Sequence, residues 1–161
     1  MDISDLNQDT FDSVWSKVTE CAGHFTDISD CSDKTLLESL ITKEVENRVF
    51  YISTAKACTK CTPLFKNLAD LSAKRLGRLQ AIYFLLYGNS FTLCEITNAA
   101  SPSILAALRS AYWREADTAS SLIAAAGTLR NGKFAALAAE FARQAAGSAE
   151  LILQFIDKIM N

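Results

Sequence analysis

The segment LADLSAKRLGRLQ, residues 68–80, places polar side chains where the core of a helical protein should be driest. Its apolar residues recur every three or four positions, which predicts an amphipathic helix. The same face carries Ser72 and Arg75. An arginine in a core needs a partner, because an unpaired buried charge is very costly. The segment therefore predicts both a helix and a polar group within its packing face.

The composition predicts a globular helical domain. The chain has 161 residues, of which 50% are hydrophobic and 21% are charged, with six Gly and two Pro. This length supports one domain with a core, and the scarcity of helix breakers favours long helices. The net charge is -2 and the basic residues form no single block, so we expect neither nucleic acid nor a membrane as a partner.

The N-terminus and the cysteines predict a cytoplasmic location. The first residues, MDISDLNQD, are acidic, whereas a secretory signal begins with a basic region. The chain contains no run of about 18 apolar residues, so the sequence predicts no membrane-spanning helix. The chain has five cysteines, an odd number, and without a secretory signal we expect them to be reduced.

Apolar periodicity predicts one short helix followed by four long ones. The short amphipathic helix, residues 9–25, and a polar linker form an N-terminal part, residues 1–33. The remainder, residues 34–161, is predicted to form the bundle. Its long helices are expected at about residues 34–58, 63–87, 102–127 and 133–160.

The connections between the long helices predict the topology. Thr62-Pro63 and Ser101-Pro102 are typical of a cap followed by the first helical residue, and Gly88 is typical of a helix end. The first and last links are short, whereas the middle link, residues 88–101, is long. Short links join antiparallel neighbours, and a long link can cross a bundle. We therefore expect an all-α four-helix bundle with two antiparallel hairpins and one long crossover.

Polar residues occur near the midpoint of each long helix, on the face predicted to be buried. In chain order they are Glu44, Arg48, Ser72, Arg75, Glu115 and Ser148. The midpoints of antiparallel helices lie at one height, so these side chains are expected to form a shared polar layer. The alternative is that the longer ones extend their charges into solvent separately.

The layout of residues 34–160 resembles the ferritin-like superfamily, and its rubrerythrin-like domains in particular. The resemblance rests on the stretches KEVENRVFYISTAKAC, LADLSAKRLGRLQAIYFLLYG, YWREADTAS and FARQAAGSAELILQF. In that family the first and third helices each supply a Glu, and the second and fourth each supply a Glu-x-x-His pair, to hold two iron ions. The resemblance implies the same bundle, with a homodimer as one of its assemblies.

Most residues that match those iron ligands are of the wrong type. The matching positions are Glu44, Ser72, Arg75, Glu115, Ala145 and Ser148. The two glutamates are carboxylates, and a further glutamate sometimes found on the third helix is replaced by Thr118. The single histidine, His24, lies outside the long helices. We therefore expect no cofactor at these vestigial positions, and predict that Arg75 supplies the positive charge by pairing with one or both glutamates.

Cys58 and Cys61 form a C-x-x-C pair. Such a pair is used in thiol redox chemistry or as half of a zinc site, for which Cys21 and His24 would be the nearest further ligands. The pair is predicted to close the first long helix, at the end where the helix dipole does not assist thiolate formation. The alternative, which we favour from the sequence, is that the pair serves packing or forms an incidental disulfide.

Three functions remain open at this point. The first, which the missing ligands favour, is a non-catalytic structural or partner-binding bundle, with a homodimer or another protein as its partner. The second is an oxidoreductase, peroxidase or iron-handling protein with iron or manganese at Glu44 and Glu115. The third is a thiol redox protein that uses Cys58 and Cys61. No glycine-rich phosphate loop or Ser/His/Asp set is readable, so we expect no catalytic residues.

Overall fold

The computed structural model describes residues 31–93, 96, 103–129 and 132–160. These residues form four long α-helices and no β-strand. The helices are α1, Cys31–Ala57; α2, Thr62–Tyr87; α3, Ile104–Thr128; and α4, Gly132–Met160, with a short 3-10 turn, Thr59–Cys61, between α1 and α2. The predicted short helix, residues 9–25, lies outside the described residues, as do Cys21 and His24. None of the described helices is long and apolar enough to cross a membrane.

The helices α1 and α2 pack side by side as an antiparallel hairpin. Ser72, at the middle of α2, contacts Glu44 at the middle of α1. Tyr83, near the end of α2, contacts Glu38 near the start of α1. The short turn between the helices requires this antiparallel arrangement.

The helices α3 and α4 form a second hairpin, which packs against the first. Its α3 helix runs antiparallel to α1, because Tyr51 contacts Glu115, whereas Lys43, earlier in α1, contacts Ser121, later in α3. The predicted all-α bundle of two antiparallel hairpins is thus confirmed.

The link from α2 to α3 has to cross the length of the bundle. The end of α2 lies beside the start of α1, whereas α3 starts at the opposite end, where Leu108 packs in one cluster with Phe65. The described part of this link lies against α1, where Phe91 and Ile96 line a groove with Val45. The long crossover expected from the sequence is therefore present.

Gly88 ends α2 in the way the sequence predicts. Its φ is 69° and its ψ is 5°, a left-handed conformation that glycine adopts without steric cost. Its backbone N–H donates to the carbonyl oxygen of Phe84 at 2.8 Å, which satisfies one of the free carbonyls of the last turn.

The two predicted helix starts are each displaced. The N-cap of α2 is Cys61 rather than Thr62, because the Thr62 hydroxyl, already inside the helix, lies 2.9 Å from the carbonyl oxygens of Ala55 and Cys58. The N-cap of α3 is Ser103, whose Oγ accepts from the backbone N–H of Ala106 at 3.2 Å. Ser101-Pro102 lies outside the described residues.

Two apolar clusters form the core, one toward each end of the bundle. The first includes Leu40, Ile41, Leu79, Leu122 and Phe141. The second includes Tyr51, Phe65, Leu68, Leu108 and Ile152. Most of the buried polar residues fall between these clusters, and every helix contributes at least one: Glu44, Asn47, Ser72, Arg75, Glu115, Thr118 and Ser148. Asp33 and Thr54 on α1 are also buried but lie outside this level. The predicted polar layer therefore exists at the middle of the core.

The helical periodicity of the sequence predicts buried positions for Leu105 and Ile159 as well as for Arg48, but all three residues are exposed. The buried face of α1 is turned toward α3, so Asn47 is buried, and its neighbour Arg48 lines a surface groove between α1 and α2. Leu105 and Ile159 lie in the terminal turns of α3 and α4, where the neighbouring helices cover less of each side chain.

Candidate functional site

Arg75 lies at the centre of the polar layer and is fully buried. It follows Ser72 by three residues on α2, so both side chains lie on the face that packs against α1. Its Nε donates to Oε1 of Glu44 at 2.6 Å, and its Nη2 donates to Oε2 of Glu44 at 3.2 Å. Two parallel bonds of this kind form the strongest pairing between an arginine and a carboxylate.

The same guanidinium also binds the second glutamate. Nη2 of Arg75 donates to Oε1 and Oε2 of Glu115, at 3.1 and 3.2 Å. Glu115 is 0% exposed and Glu44 is 1% exposed, so water is excluded from both carboxylates. Arg75 therefore joins α1, α2 and α3 at one level. The predicted pairing of Arg75 with one or both glutamates is confirmed, and it involves both.

Each glutamate also accepts a hydroxyl hydrogen bond. The Ser72 hydroxyl lies 2.6 Å from Oε2 of Glu44 and 2.9 Å from the backbone oxygen of the same residue, so its one hydrogen can be donated to either. The Tyr51 hydroxyl donates to Oε1 of Glu115 at 2.7 Å. These contacts satisfy acceptors that would otherwise be stranded away from water.

The charges of this cluster do not balance. With both carboxyl groups ionised, Glu44, Arg75 and Glu115 together carry a net charge of -1. Burial raises the pKa of Glu115 above its ordinary value, although the charge of Arg75 and the hydrogen bond from Tyr51 act in the opposite direction. Burial therefore opposes the negative charge of Glu115 more strongly than Arg75 and Tyr51 favour it.

The donors of the layer keep their protons. Burial would lower the pKa of Arg75, but the charges and hydrogen bonds of the two glutamates outweigh this effect and raise it. Burial and the charge of Glu115 raise the pKa of Tyr51 well above its ordinary value. Both side chains are thus hydrogen-bond donors at neutral pH.

A neighbouring polar pair was missed by the sequence analysis. Nδ2 of Asn47 donates to Oγ1 of Thr118 at 2.9 Å, and Nη1 of Arg114 donates to Oδ1 of Asn47 at 3.2 Å. The Arg114 guanidinium lies over the ring of Phe50, 4.6 Å from its centroid. The sequence offered one signal for Asn47, since a residue three positions after Glu44 lies on the same face of the helix. Arg48, four positions after Glu44, fits the same face equally well, so the spacing alone does not decide which residue is buried.

The helix α4 brings small side chains to the level of the layer. Ala145 and Ser148 are buried, as the sequence predicts, but the Ser148 hydroxyl donates to the carbonyl oxygen of Gln144 within its own helix, at 3.1 Å. Nη1 of Arg75 is buried, and among the described residues it has no hydrogen-bond partner. The charged contacts of the layer therefore come from the other three helices.

The residues of this layer do not fit a di-iron centre. Such a centre needs several carboxylates and imidazoles, and here both carboxylates are hydrogen-bonded to Arg75, whose guanidinium stays protonated. Ser72 and Ala145, two positions that the resemblance matches to glutamates, carry no carboxylate. No group of three or more His, Cys, Asp or Glu suited to a metal occurs among the described residues.

The C-x-x-C pair lies away from this layer, in the turn between α1 and α2. Both thiols are free, with Cys58 partly exposed and Cys61 fully buried. Burial, with a contribution from the neighbouring Cys58 thiol, raises the pKa of Cys61 to about 11. As the sequence predicts, Cys58 directly follows the last residue of α1 and the pair lies in the turn before α2, where Cys61 is the N-cap of α2.

Comparisons with protein-family models, curated proteins and solved structures gave no match for this chain.

Proposed function

We propose that this chain is a non-catalytic, metal-free relative of the rubrerythrin-like ferritin-like domains, and that it acts as a structural or partner-binding bundle. One observation carries the proposal. Arg75 binds both Glu44 and Glu115, which match two of the family's iron ligands. In this interpretation the guanidinium supplies the positive charge that iron supplies in the family.

The burial of the layer supports a structural role. Glu44, Arg75 and Glu115 are at most 1% exposed, and an apolar cluster lies on each side of them along the bundle. A catalytic acid or base has to come within hydrogen-bond reach of its substrate. Side chains sealed in this way can align helices, but a substrate has no direct access to them.

The layer is well suited to setting the axial register of the helices. A displacement of one helix by a turn, about 5.4 Å, would separate Arg75 from its carboxylates and leave buried charges without partners. Apolar contacts alone tolerate such shifts more readily, because one aliphatic side chain can replace another. Alignment of the two hairpins is therefore the specific structural task that we assign to Arg75.

A partner-binding role is supported by one exposed apolar groove on the second hairpin. Trp113 is 63% exposed and lines this groove with Leu105, Leu153 and Met160. Large aromatic residues often dominate the binding energy of protein interfaces. We assign this groove to a second copy of the chain, the homodimer implied by the resemblance. Replacement of Trp113 by Asp should then convert a dimer to a monomer in sedimentation experiments without unfolding it.

The relationship to a metal-binding ancestor can be tested by restoring the missing ligands. The restored variant carries Ser72→Glu, Arg75→His, Ala145→Glu and Ser148→His. It should bind two Co(II) ions per chain, measured by equilibrium dialysis and by the visible absorption of Co(II), because the family's six-ligand set would again surround one cavity. The unsubstituted chain should bind none under the same conditions.

A matched control places the same side chains, at the same spacing, on exposed positions of the same helices. It carries Lys74→Glu, Gly77→His, Gly147→Glu and Glu150→His, all at exposed residues. The proposal is wrong if the folded restored variant binds no more Co(II) than this control. It is also wrong if the unsubstituted chain binds stoichiometric iron or manganese that Glu44→Gln abolishes.

A further inference from the structure

We propose that Cys58 and Cys61 form a reversible thiol–disulfide couple, in which Cys58 exchanges with low-molecular-weight disulfides and Cys61 closes the intramolecular bond. The pair lies at the turn between α1 and α2, whereas Arg75 lies near the middle of α2. This activity is independent of the proposed structural role of the polar layer.

The backbone of the turn brings the two cysteines within reach of a disulfide. The N–H of Cys61 donates to the carbonyl oxygen of Cys58 at 3.2 Å, which closes a four-residue turn. The first and last Cα atoms of such a turn are less than about 7 Å apart. Disulfides span Cα distances of about 4.4–6.8 Å. The backbone of this turn therefore allows a disulfide between the two sulfurs.

The two thiols differ in their access to solvent, and this difference assigns their roles. Cys58 is partly exposed at the end of α1, whereas Cys61 is 0% exposed and packs in the apolar cluster that contains Phe65. An external disulfide can therefore approach Cys58 but not Cys61. Once Cys58 has reacted, its sulfur is the electrophile nearest to Cys61.

The exchange takes place in two balanced steps. The Cys58 thiolate, after losing its proton to solvent, attacks one sulfur of oxidised glutathione, and one glutathione leaves as a thiolate that takes up a proton. The Cys61 thiol then loses its proton and attacks the Cys58 sulfur, which releases the second glutathione. Two thiols are oxidised to one disulfide, and one external disulfide is reduced to two thiols.

Burial of Cys61 slows the second step. Its pKa is raised to about 11, so its thiolate is scarce at neutral pH, and the thiolate is the attacking species. The mixed disulfide on Cys58 should therefore accumulate briefly before it is resolved. The positive charge of Lys60, within the same turn, opposes the rise in pKa but does not cancel it.

Oxidation does not require the bundle to open. The Thr62 hydroxyl lies 2.9 Å from the carbonyl oxygens of both Ala55 and Cys58, and holds the turn closed without any bond between the sulfurs. The reduced and oxidised chains should consequently have the same helical content. The couple can thus cycle on a fixed scaffold.

The test uses the full chain with Cys21, Cys31 and Cys94 replaced by Ser, so that only the pair can react. Incubation with oxidised glutathione should give an intramolecular disulfide, detected by mass spectrometry as the loss of two hydrogen atoms. In this background, the further substitution Cys61→Ser should stop the reaction at a glutathione adduct on Cys58. Addition of Cys58→Ser should slow adduct formation by about tenfold or more, because Cys61 is buried.

Two controls make the outcome decisive. In urea, both single-cysteine variants should react at similar rates, which shows that the difference arises from the fold. If the triple-serine background does not fold, the disulfide can be mapped by proteolysis of the unsubstituted chain. Equal rates for the two variants in the folded state, or a failure of the pair to proceed beyond the mixed disulfide, would overturn the proposal.

Discussion

Arg75 and Glu44 are joined by two hydrogen bonds, of 2.6 and 3.2 Å, inside a core that excludes water from both side chains. A buried pair of this kind often adds little net stability, because desolvation offsets most of the attraction. Its loss is nevertheless costly, since the remaining charge has neither its partner nor water. The effect of a substitution on stability therefore depends mainly on which charge remains buried without a partner.

Replacement of Arg75 by Ala should lower the free energy of unfolding by about 3–5 kcal/mol, because two buried carboxylates lose their common donor. Urea denaturation followed by circular dichroism measures this change. Combination of Arg75→Ala with Glu44→Gln and Glu115→Gln should recover part of the loss, since the stranded charges are then absent. A triple variant no more stable than Arg75→Ala would contradict this account.

The control for this experiment is a surface arginine on the same helix. Arg78 lies 3.5 Å from Glu140, and both side chains are largely exposed. Replacement of Arg78 by Ala should change the free energy of unfolding by no more than about 1 kcal/mol.

Replacement of Tyr51 by Phe should destabilise the bundle by about 1.5–3 kcal/mol, the usual range for a hydrogen bond to a charged group. The Tyr51 hydroxyl donates to Glu115 at 2.7 Å, and both residues are fully buried. Replacement of the half-buried Tyr112 on α3 by Phe should cost less than about 0.5 kcal/mol. Equal losses in the two variants, measured by thermal or urea unfolding, would argue against a role for the Tyr51 hydroxyl.

The stability of the chain should depend on pH through Glu115. Burial raises its pKa above the ordinary 4.5, so the folded state holds the proton more tightly than the unfolded state. Its contribution to the free energy of unfolding is full below about pH 4.5 and is lost as the pH rises through the folded pKa. Because Gln does not titrate, Glu115→Gln should gain stability relative to the unsubstituted chain as the pH increases.

Urea denaturation at a series of pH values from about 4 to 8 measures this difference. The exposed Glu46 on α1 offers a reference substitution, Glu46→Gln, for the general effect of removing one carboxylate. A stability difference between Glu115→Gln and the unsubstituted chain that does not change with pH would refute the prediction.

Tyr83 should titrate at unusually high pH. Its hydroxyl donates to Oε1 of Glu38 at 2.7 Å, and this hydrogen bond, with burial, raises its pKa to about 12. The stability it contributes is full below about pH 10 and is lost as the pH rises from there through about 12. Replacement of Tyr83 by Phe should remove an ionisation with a midpoint near 12 from the ultraviolet absorbance titration. A titration curve that keeps this step would count against the assignment.

The pairing of Arg75 with Glu44 and Glu115 could be predicted from the sequence because two physical constraints agree. Helical periodicity places the three residues on buried faces near the middle of their helices, and buried charges have to find partners. Long, strongly periodic helices also make the antiparallel topology readable from the lengths of the connecting links. The same reasoning identified Gly88 as the end of α2.

Other details depend on a few degrees of helix rotation, which periodicity does not determine. Asn47 and Arg48 lie on opposite sides of the inner face of α1, and the packing of α1 against α3 decides which one is buried. Cap positions depend on individual hydrogen bonds, so the hydroxyl of Thr62 contacts the preceding helix instead of capping α2. Ser148 is buried as predicted, but a backbone carbonyl of its own helix competes successfully for its hydroxyl hydrogen.

The polar layer also makes the two hairpins unequal in their dependence on each other. The hairpin of α1 and α2 contains both Arg75 and Glu44, so the charges of these two residues cancel within it. The hairpin of α3 and α4 contributes Glu115, whose donors, Arg75 and Tyr51, both belong to the first hairpin. The pairing of Arg75 with Glu44 thus requires only the first hairpin. The buried carboxylate of the second hairpin, Glu115, obtains these hydrogen-bond donors only when the second hairpin packs against the first.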